Sequence, residues 1–518
     1  MIKNKLIIHP LLFALFPVLF LYGNNLVQVP FGRTISSLAA VLILAVLLWS
    51  VFGLVFRDLG FSAALTSLFL LLFFTYGQFF ALIEGVKVSG LELGQHLFLL
   101  PLWAGLFGLG FWLCRRARSR PAALTRFFTA MGAALVLVAL LPIVSDVFRP
   151  AGIKRFGRTA GSPSAELVSL ERGGPLPNIY YIILDAYASG KVLEEVYGFD
   201  NSEFLDYLSS RGFALARPGR SNYDMSLMSL ASSLNYRYLD GDEFRERKMD
   251  YLFSLFRENR VVELLRGLGY RLAAFDSGYD NTELRSAEIR LGTGWSPGEF
   301  AAELINFTPL PPLLAMIGGG GYEGGLQYRA HRERILYAFE NIPETARIEG
   351  PLFVFAHILA PHPPFVFDEA GGPVQLSDYY ITGDAAGFLE RMGISREEYR
   401  GYYIAQLKFI NRQVMETVDR LLENSETAPI IVIQGDHGPR SAYSFCNLDA
   451  SNPEEGLSIL NAYHLPGGGA EDLYPGITPV NTFRVIFNRY FGAGLELLPD
   501  HSYFTDWEDG YFVFRRVF

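Results

Sequence analysis

Five apolar runs precede residue 150, at roughly Leu6–Tyr22, Thr34–Phe56, Phe61–Ile83, His96–Cys114 and Phe127–Phe148. A bilayer core of about 30 Å takes about 20 helical residues to cross, so these lengths fit spanning helices, the first being the shortest. The 518 residues therefore divide into three parts. Residues 1–148 form a transmembrane domain of five helices, 149–177 form a linker rich in Gly, Pro, Ser and Arg, and 178–518 form a domain outside the membrane.

The first run follows Lys3 and Lys5, as a signal peptide would. Gly23-Asn24-Asn25-Leu26 offers no small-x-small cleavage pattern, however, and four more spans follow, so the run reads as an anchor. Positive charge sets the orientation. Lys3, Lys5, Arg57, Arg115, Arg116, Arg118, Arg120 and Arg126 fall in alternate loops, against Arg33 and Lys87 in the others. Placing the richer loops in the cytoplasm puts the amino terminus inside and everything after Phe148 outside, with the spans in the plasma (inner) membrane. Arg149, Lys154, Arg155 and Arg158 pull the other way, but long domains translocate largely regardless of charge. The spans hold few ionisable groups, His9, His96 and Asp146 near their ends, which suits an anchor rather than a conduit. Cys114 and Cys446 then lie on opposite sides of the bilayer, and no disulfide is expected. A net charge of -9 with no basic stripe outside the cytoplasmic loop excludes a nucleic-acid partner.

Beyond the linker, β-type runs alternate with helical ones. Ile179–Leu184, Tyr270–Phe275, Leu352–Ala356, Pro429–Gln434 and Phe483–Phe487 read as strands. Ser202–Ser210, Ser226–Asn235, Met249–Leu268 and Arg396–Glu423 read as helices. That order indicates an α/β domain with a doubly wound, mostly parallel sheet. Gly318–Gly321 with Gly324 and Gly325 lacks the Gly-Lys-Ser/Thr of a phosphate cradle and reads as a loop. The apolar, proline-containing Leu310–Ile317 fits either internal packing or contact with the membrane surface.

In a parallel sheet the carboxyl ends of the strands share one edge. Asp185, His357 with His362, and Asp436 with His437 all fall there, the last pair flanked by Gly435 and Gly438, which permit a sharp turn. Ser226, where a loop gives way to an apolar helix, supplies a nucleophile; its alternative role is a helix N-cap. A helix amino terminus is worth only about 0.3–1 kcal/mol at an exposed site. A divalent cation, which can lower the pKa of a coordinated water from 15.7 to about 7, does far more, so a metal must carry most of the activation. Asp185, Ser226, Asp436 and His437 make a four-member ligand set.

Asp185 after Asn-Ile-Tyr-Tyr-Ile-Ile-Leu, Ser226 followed three residues later by Ser229, His-Pro-Pro-Phe at His362–Phe365 and Gly-Asp-His-Gly at Gly435–Gly438 together resemble the alkaline phosphatase superfamily. The nearer likeness is to its sulfatase-like membrane branch, the lipoteichoic acid synthases and the phosphoethanolamine and phosphoglycerol transferases. The resemblance covers nearly the whole chain and implies five spans followed by an extracytoplasmic catalytic domain. It implies Asp185, Ser226, Asp436 and His437 as metal ligands, with Ser226 the covalent nucleophile. His362 would bind a phosphate oxygen or assist the leaving group, with His357 and Arg440 as further candidates for that work. His464 is a candidate substrate contact with no family counterpart, and His331 and His501 read as surface residues. The family usually carries Thr at the nucleophile and several members carry Glu at the first ligand, so Ser226 and Asp185 depart from its pattern. No C/S-x-P-x-R stretch occurs, which disfavours sulfate hydrolysis through formylglycine.

The expected activity is metal-dependent transfer of a phospho-headgroup, phosphoglycerol or phosphoethanolamine, from a lipid donor to an envelope lipid or glycan through a covalent serine. The alternatives are a phosphodiesterase or sulfuric ester hydrolase using the same residues, and a non-catalytic envelope protein. The ligand set suits one zinc or manganese ion, with a second metal left open.

Overall fold

The structure, a computed structural model, describes residues 7–26, 29, 31–83, 87–88, 91–92, 95–147, 176–239, 251–293, 299–317, 325–374, 385–445, 447–508 and 511–518. The linker over 149–177, apart from its last two residues, most of the glycine-rich stretch and Cys446 lie outside the described residues. The chain falls into two compact units, Met1–Ala151 with Pro297–Tyr322, and Gly152–Ser296 with Glu323–Phe518. The expectation of one uninterrupted domain over 178–518 did not include the excursion of Pro297–Tyr322 into the first unit.

The first unit is built on α1 (His9–Asn24), α2 (Phe31–Phe56), α3 (Leu59–Ile83), α4 (His96–Arg116) and α5 (Pro121–Val147). Among the described residues, four helices are long and apolar enough to cross a membrane, covering Thr34–Phe56, Leu59–Ile83, His96–Ser119 and Pro121–Ser145. At 16 residues α1 is shorter. It is nonetheless packed inward, with His9, Phe13, Ala14 and Val18 buried, and Gly132 of α5 packs against its Leu12 and Phe13. Polar groups turn inward, His9 Nδ1 meeting Ser67 Oγ at 2.7 Å. Large apolar side chains such as Leu54 and Leu82 turn outward, as they do against lipid.

The second unit holds a seven-stranded sheet among the described residues. Its strands are β1 (Ile179–Leu184), β2 (Ala214–Leu215), β3 (Arg271–Phe275), β4 (Ile289–Leu291), β5 (Leu352–Ile358), β6 (Ile430–Gln434) and β7 (Asn461–His464), in the order β2-β7-β6-β1-β5-β3-β4. β6, β1, β5, β3 and β4 pair in parallel, while β7 runs antiparallel to β6 and β2. Every residue of β1, β5 and β6 is buried, because helices cover both faces and leave no polar side to alternate with. On one face Tyr180, Ile182, Val354 and Ile431 pack with Tyr399, Tyr403 and Ile410 of the Arg396–Asn424 helix. On the other, Tyr181 and Phe353 meet Phe483 edge-on at 5.1 and 6.0 Å.

Phe483 belongs to a helix, Pro479–Phe491, and not to the expected strand Phe483–Phe487. A five-residue apolar run cannot distinguish the two by itself. Its surroundings do: Pro479 presets the first turn, Val480, Phe483, Ile486 and Phe487 recur at helical spacing, and Gly492 at φ 64° stops the helix. A helix also begins at Gly325, where none was expected, and runs to Asn341.

Candidate active site

Strand register assembles the site. Ile183 pairs with His357 on one side and Gln434 on the other. Side chains repeat every two residues, so Asp185, two beyond Ile183, and Asp436, two beyond Gln434, leave the sheet on the face His357 occupies. The same face carries Tyr181, whose hydroxyl meets Gln434 Oε1 at 2.9 Å and Ser233 Oγ at 2.7 Å. Ser233 lies on the Ser226–Leu234 helix, so this network ties the helix bearing the candidate nucleophile to the strands bearing the candidate ligands.

Ser226 is the first residue of that helix, Met225 holds the cap position in extended backbone, and no side chain caps the end. The N-cap alternative for Ser226 therefore does not describe it. Its Oγ turns to His437 Nε2, 3.2 Å away. His437 Nδ1 lies 2.8 Å from its neighbour's carbonyl, Gly438 O, and the bond can form only if Nδ1 carries the proton. Nε2 is left with a lone pair facing Ser226 and, at 3.3 Å, Asp185 Oδ1. Burial, and then the charge of Arg440, push the His437 pKa down and favour this neutral ring.

Asp436 Oδ1 accepts from the backbone amides of Ala186 and His437 at 3.1 and 3.0 Å. Its Oδ2 makes no hydrogen bond and faces His357 Nε2 at 3.6 Å and His437 Nε2 at 3.8 Å. Burial alone would raise this carboxyl; the facing imidazoles outweigh it and hold Asp436 well below the usual carboxylate range. His357 is buried with its Nε2 3.3 Å from Asp185 Oδ2 and its Nδ1 2.7 Å from Thr282 Oγ1. Burial would lower its pKa, but the two carboxylates raise it to about 9. The glycines serve a different purpose from the expected one. Neither Gly435 nor Gly438 has positive φ. A Cβ at Gly435 would lie 2.6 Å from Tyr187 O, and one at Gly438 2.0 Å from Glu455 O, so the need is for close backbone approach.

His362 follows β5 in a loop held by Gln406, whose amide donates to the Pro361 and His362 carbonyls at 3.2 Å each. The His362 amide donates to Asp185 O at 3.0 Å, and its half-exposed ring lies 5.8 Å from the His437 ring. Arg440 is buried and donates to Asp224 O in the loop leading into Ser226, its guanidinium lying over the Tyr443 and Phe445 rings. The expected substrate contact His464 is not brought to this edge. β7 runs antiparallel, so Asn461 pairs with Gln434 near the site while His464 pairs with Ile431 and meets Pro429 O at 2.8 Å.

Three supports escaped the sequence. Thr282 orients His357, and the buried Asp224 carboxylate accepts from Tyr443 and from the Thr505 amide. Glu455, fully buried, accepts from Tyr197, the Ser441 amide and hydroxyl and the Ala442 amide, holding the loop that carries Arg440. Acids held by backbone amides leave no sequence pattern. His331, expected at the surface, is buried, and burial followed by the charges of Arg334 and His362 lowers its pKa to about 3. That one was legible, for Tyr328, His331, Ile335, Ala338 and Ile342 keep helical spacing.

Two groups of atoms lie close enough to hold one cation, each within 4.8 Å: Asp185, His362 and His437, and Asp185, His357 and Asp436. Asp185 Oδ1, Asp436 Oδ2 and His357 Nε2 are buried without hydrogen bonds, although all point at one small space. Unsatisfied buried carboxylate oxygens are costly, and a divalent cation among oxygen and imidazole donors is what such a set fits.

No protein-family model and no curated protein matches the chain. Among solved structures it is similar to the C-terminal periplasmic domain of EcEptC from Escherichia coli in complex with zinc, with TM-score 0.43 and 11% identity over 67% of this chain and 94% of that one. It is similar to the integral membrane protein lipooligosaccharide phosphoethanolamine transferase A from Neisseria meningitidis, with TM-score 0.37 and 10% identity over 88% of each chain. A phosphonate monoester hydrolase of Agrobacterium radiobacter gives TM-score 0.39 and 13% identity over 64% and 80%. At those values the site's own geometry, and not the likeness, carries the functional reading.

Proposed function

We propose that the chain is a membrane-anchored, metal-dependent transferase that moves a phospho-headgroup from a lipid to an envelope lipid or glycan through a covalent Ser226 intermediate. The observation that carries this is the contact of Ser226 Oγ with His437 Nε2 at 3.2 Å, beside the unsatisfied oxygens of Asp185 and Asp436. A serine at the first turn of a buried helix, facing a lone pair and two carboxylates rather than its own backbone, is arranged for chemistry and not for capping.

Asp185, Asp436, His437 and Ser226 would hold a divalent cation, zinc or manganese by donor type. When bound, it supplies positive charge that lowers the hydroxyl pKa and balances the phosphoryl oxygens. Ser226 releases its proton at the half-exposed mouth and attacks phosphorus. The Oγ–P bond forms as the P–O bond to diacylglycerol breaks, and His362 at the rim gives the departing oxygen its proton. His362 then takes the proton of the acceptor hydroxyl, which attacks the phosphoserine and frees Ser226. Arg440 holds the loop before Ser226 so that the hydroxyl stays in place. Five spans with the amino terminus cytoplasmic would keep this site beside a donor fixed in the bilayer.

The test is the purified full chain in vesicles with headgroup-labelled phosphatidylethanolamine or phosphatidylglycerol and an envelope lipid or glycan acceptor. Labelled acceptor with released diacylglycerol is expected, and is absent in Ser226→Ala. Headgroup released only to water would replace the transferase by a hydrolase, and activity unchanged in Ser226→Ala would remove the covalent step.

A further inference from the structure

Two short helices, Glu299–Asn306 and Leu310–Ile317, lie in the excursion that joins the membrane unit. The first is packed: Phe300 and Leu304 are buried in the same apolar cluster as Phe13 of α1, Ala45 of α2 and Phe61 of α3. The Gly77 amide of α3 donates to Phe307 O at 2.9 Å. A Cβ at Gly77 would lie 2.0 Å from Asn306 O, so the excursion seats on α3 only because position 77 has no side chain. Thr308 closes the turn, its hydroxyl donating to Ile305 O and accepting from the Leu310 amide.

The second helix is the opposite. Its sequence, LPPLLAMI, has no charged or polar side chain, and Leu310, Leu313, Leu314 and Met316 stand 40%, 38%, 40% and 58% exposed. Water is a poor neighbour for such a face, and the level at which the excursion is pinned identifies a better one. Tyr76, next to Gly77, hydrogen-bonds His96 Nδ1 at 2.9 Å. Trp103 Nε1 donates to Leu72 O, and Phe79 lies 5.0 Å from the Trp103 ring. The Tyr76 and Trp103 rings are buried among the helices, and Gly77 lies within about two turns of the end of α3 at Ile83, so the excursion is pinned near the end of a membrane-length helix, the level of a bilayer's headgroups. Phe79 and Leu82, on the same end of α3, are also exposed.

We infer that Leu310–Ile317 is an interfacial helix whose Leu310, Leu313, Leu314 and Met316 enter the boundary between lipid headgroups and acyl chains, a second membrane attachment supplied by a segment over 150 residues after α5. Apolar helices pinned at that level lie in the plane of the interface and bury one face in lipid. This goes beyond the transferase reading and does not depend on it, since it concerns what the segment touches and not the reaction.

The experiment uses the full chain with Cys114→Ala and Cys446→Ala, spin-labelled singly at Leu313→Cys, Leu314→Cys or Met316→Cys, in phosphatidylcholine–phosphatidylglycerol vesicles. A label at exposed Glu195→Cys is the aqueous control. Relaxation by oxygen, which partitions into lipid, is compared with relaxation by a water-soluble nickel chelate. The oxygen effect is expected to exceed the nickel effect several-fold at 313, 314 and 316, and to fall below it at 195. Nickel dominating at the three helix sites overturns the inference, because the face is then in water. Protection from both reagents also overturns it, because protein, such as a second copy of the chain, then covers the face. Each labelled helix residue is at an exposed position, so the three labels stand as independent measurements.

Discussion

Ser226 Oγ lies 3.2 Å from His437 Nε2, joining the first turn of a helix to the loop that leaves a buried strand. Neither residue could be read as reactive in isolation, because a serine at a helix start and a histidine in a loop are both common. Replacing Ser226 with Ala should leave the fold intact and the cation held more weakly by the three remaining ligands, while lowering turnover on the order of 10⁴-fold or more, since the covalent route is then closed. Elemental analysis beside a labelled-headgroup assay measures both quantities.

Asp185 and Asp436 carry buried oxygens that no proton donor satisfies. Chelation should lower the melting temperature, and added zinc or manganese should restore it. A ligand at 100 times its Kd stabilises by about 2.7 kcal/mol. Asp436→Asn should abolish that metal-dependent shift, which calorimetry with and without chelator will read.

Tyr181 sits beneath the site and touches none of the groups proposed to react. Tyr181→Phe strips a donor from Gln434 Oε1 and a partner from Ser233, both fully buried. The expected cost is about 1–3 kcal/mol of stability. Turnover should change little at temperatures where the variant is folded, which separates support of the site from participation in it.

Glu454 tests the electrostatics away from the site. Burial would raise its carboxyl, but Arg220 at 3.0 Å and Lys191 at 3.3 Å outweigh this and hold its pKa below the usual 4.5. A pKa depressed on folding contributes stability that is present above the unfolded value and lost as pH falls through the folded one. Glu454→Gln should therefore cost at most about 1 kcal/mol near pH 7, and the gap from the parent should close as pH falls below the usual carboxyl value of 4.5. Thermal melts of both proteins across that range check the sign.

The sequence alone determined the order of the parts: an apolar amino-terminal third, then alternating β and α runs with Asp185, Ser226, His362, Asp436 and His437 at the ends of elements. These are local properties, since hydrophobic period and the residue that follows a strand are written in adjacent positions. What only tertiary structure decided depends on contacts between distant residues. Register, with Ile183 between His357 and Gln434, brings His357 within 3.6 Å of both aspartates and carries His464 away from the site. Phe483 became helical because its neighbours cap a helix. Gly435 and Gly438 serve close packing against Tyr187 and Glu455, partners that their own φ values do not reveal. Pro297–Tyr322 joined the spanning helices because Gly77, some 220 positions earlier, leaves room for Asn306.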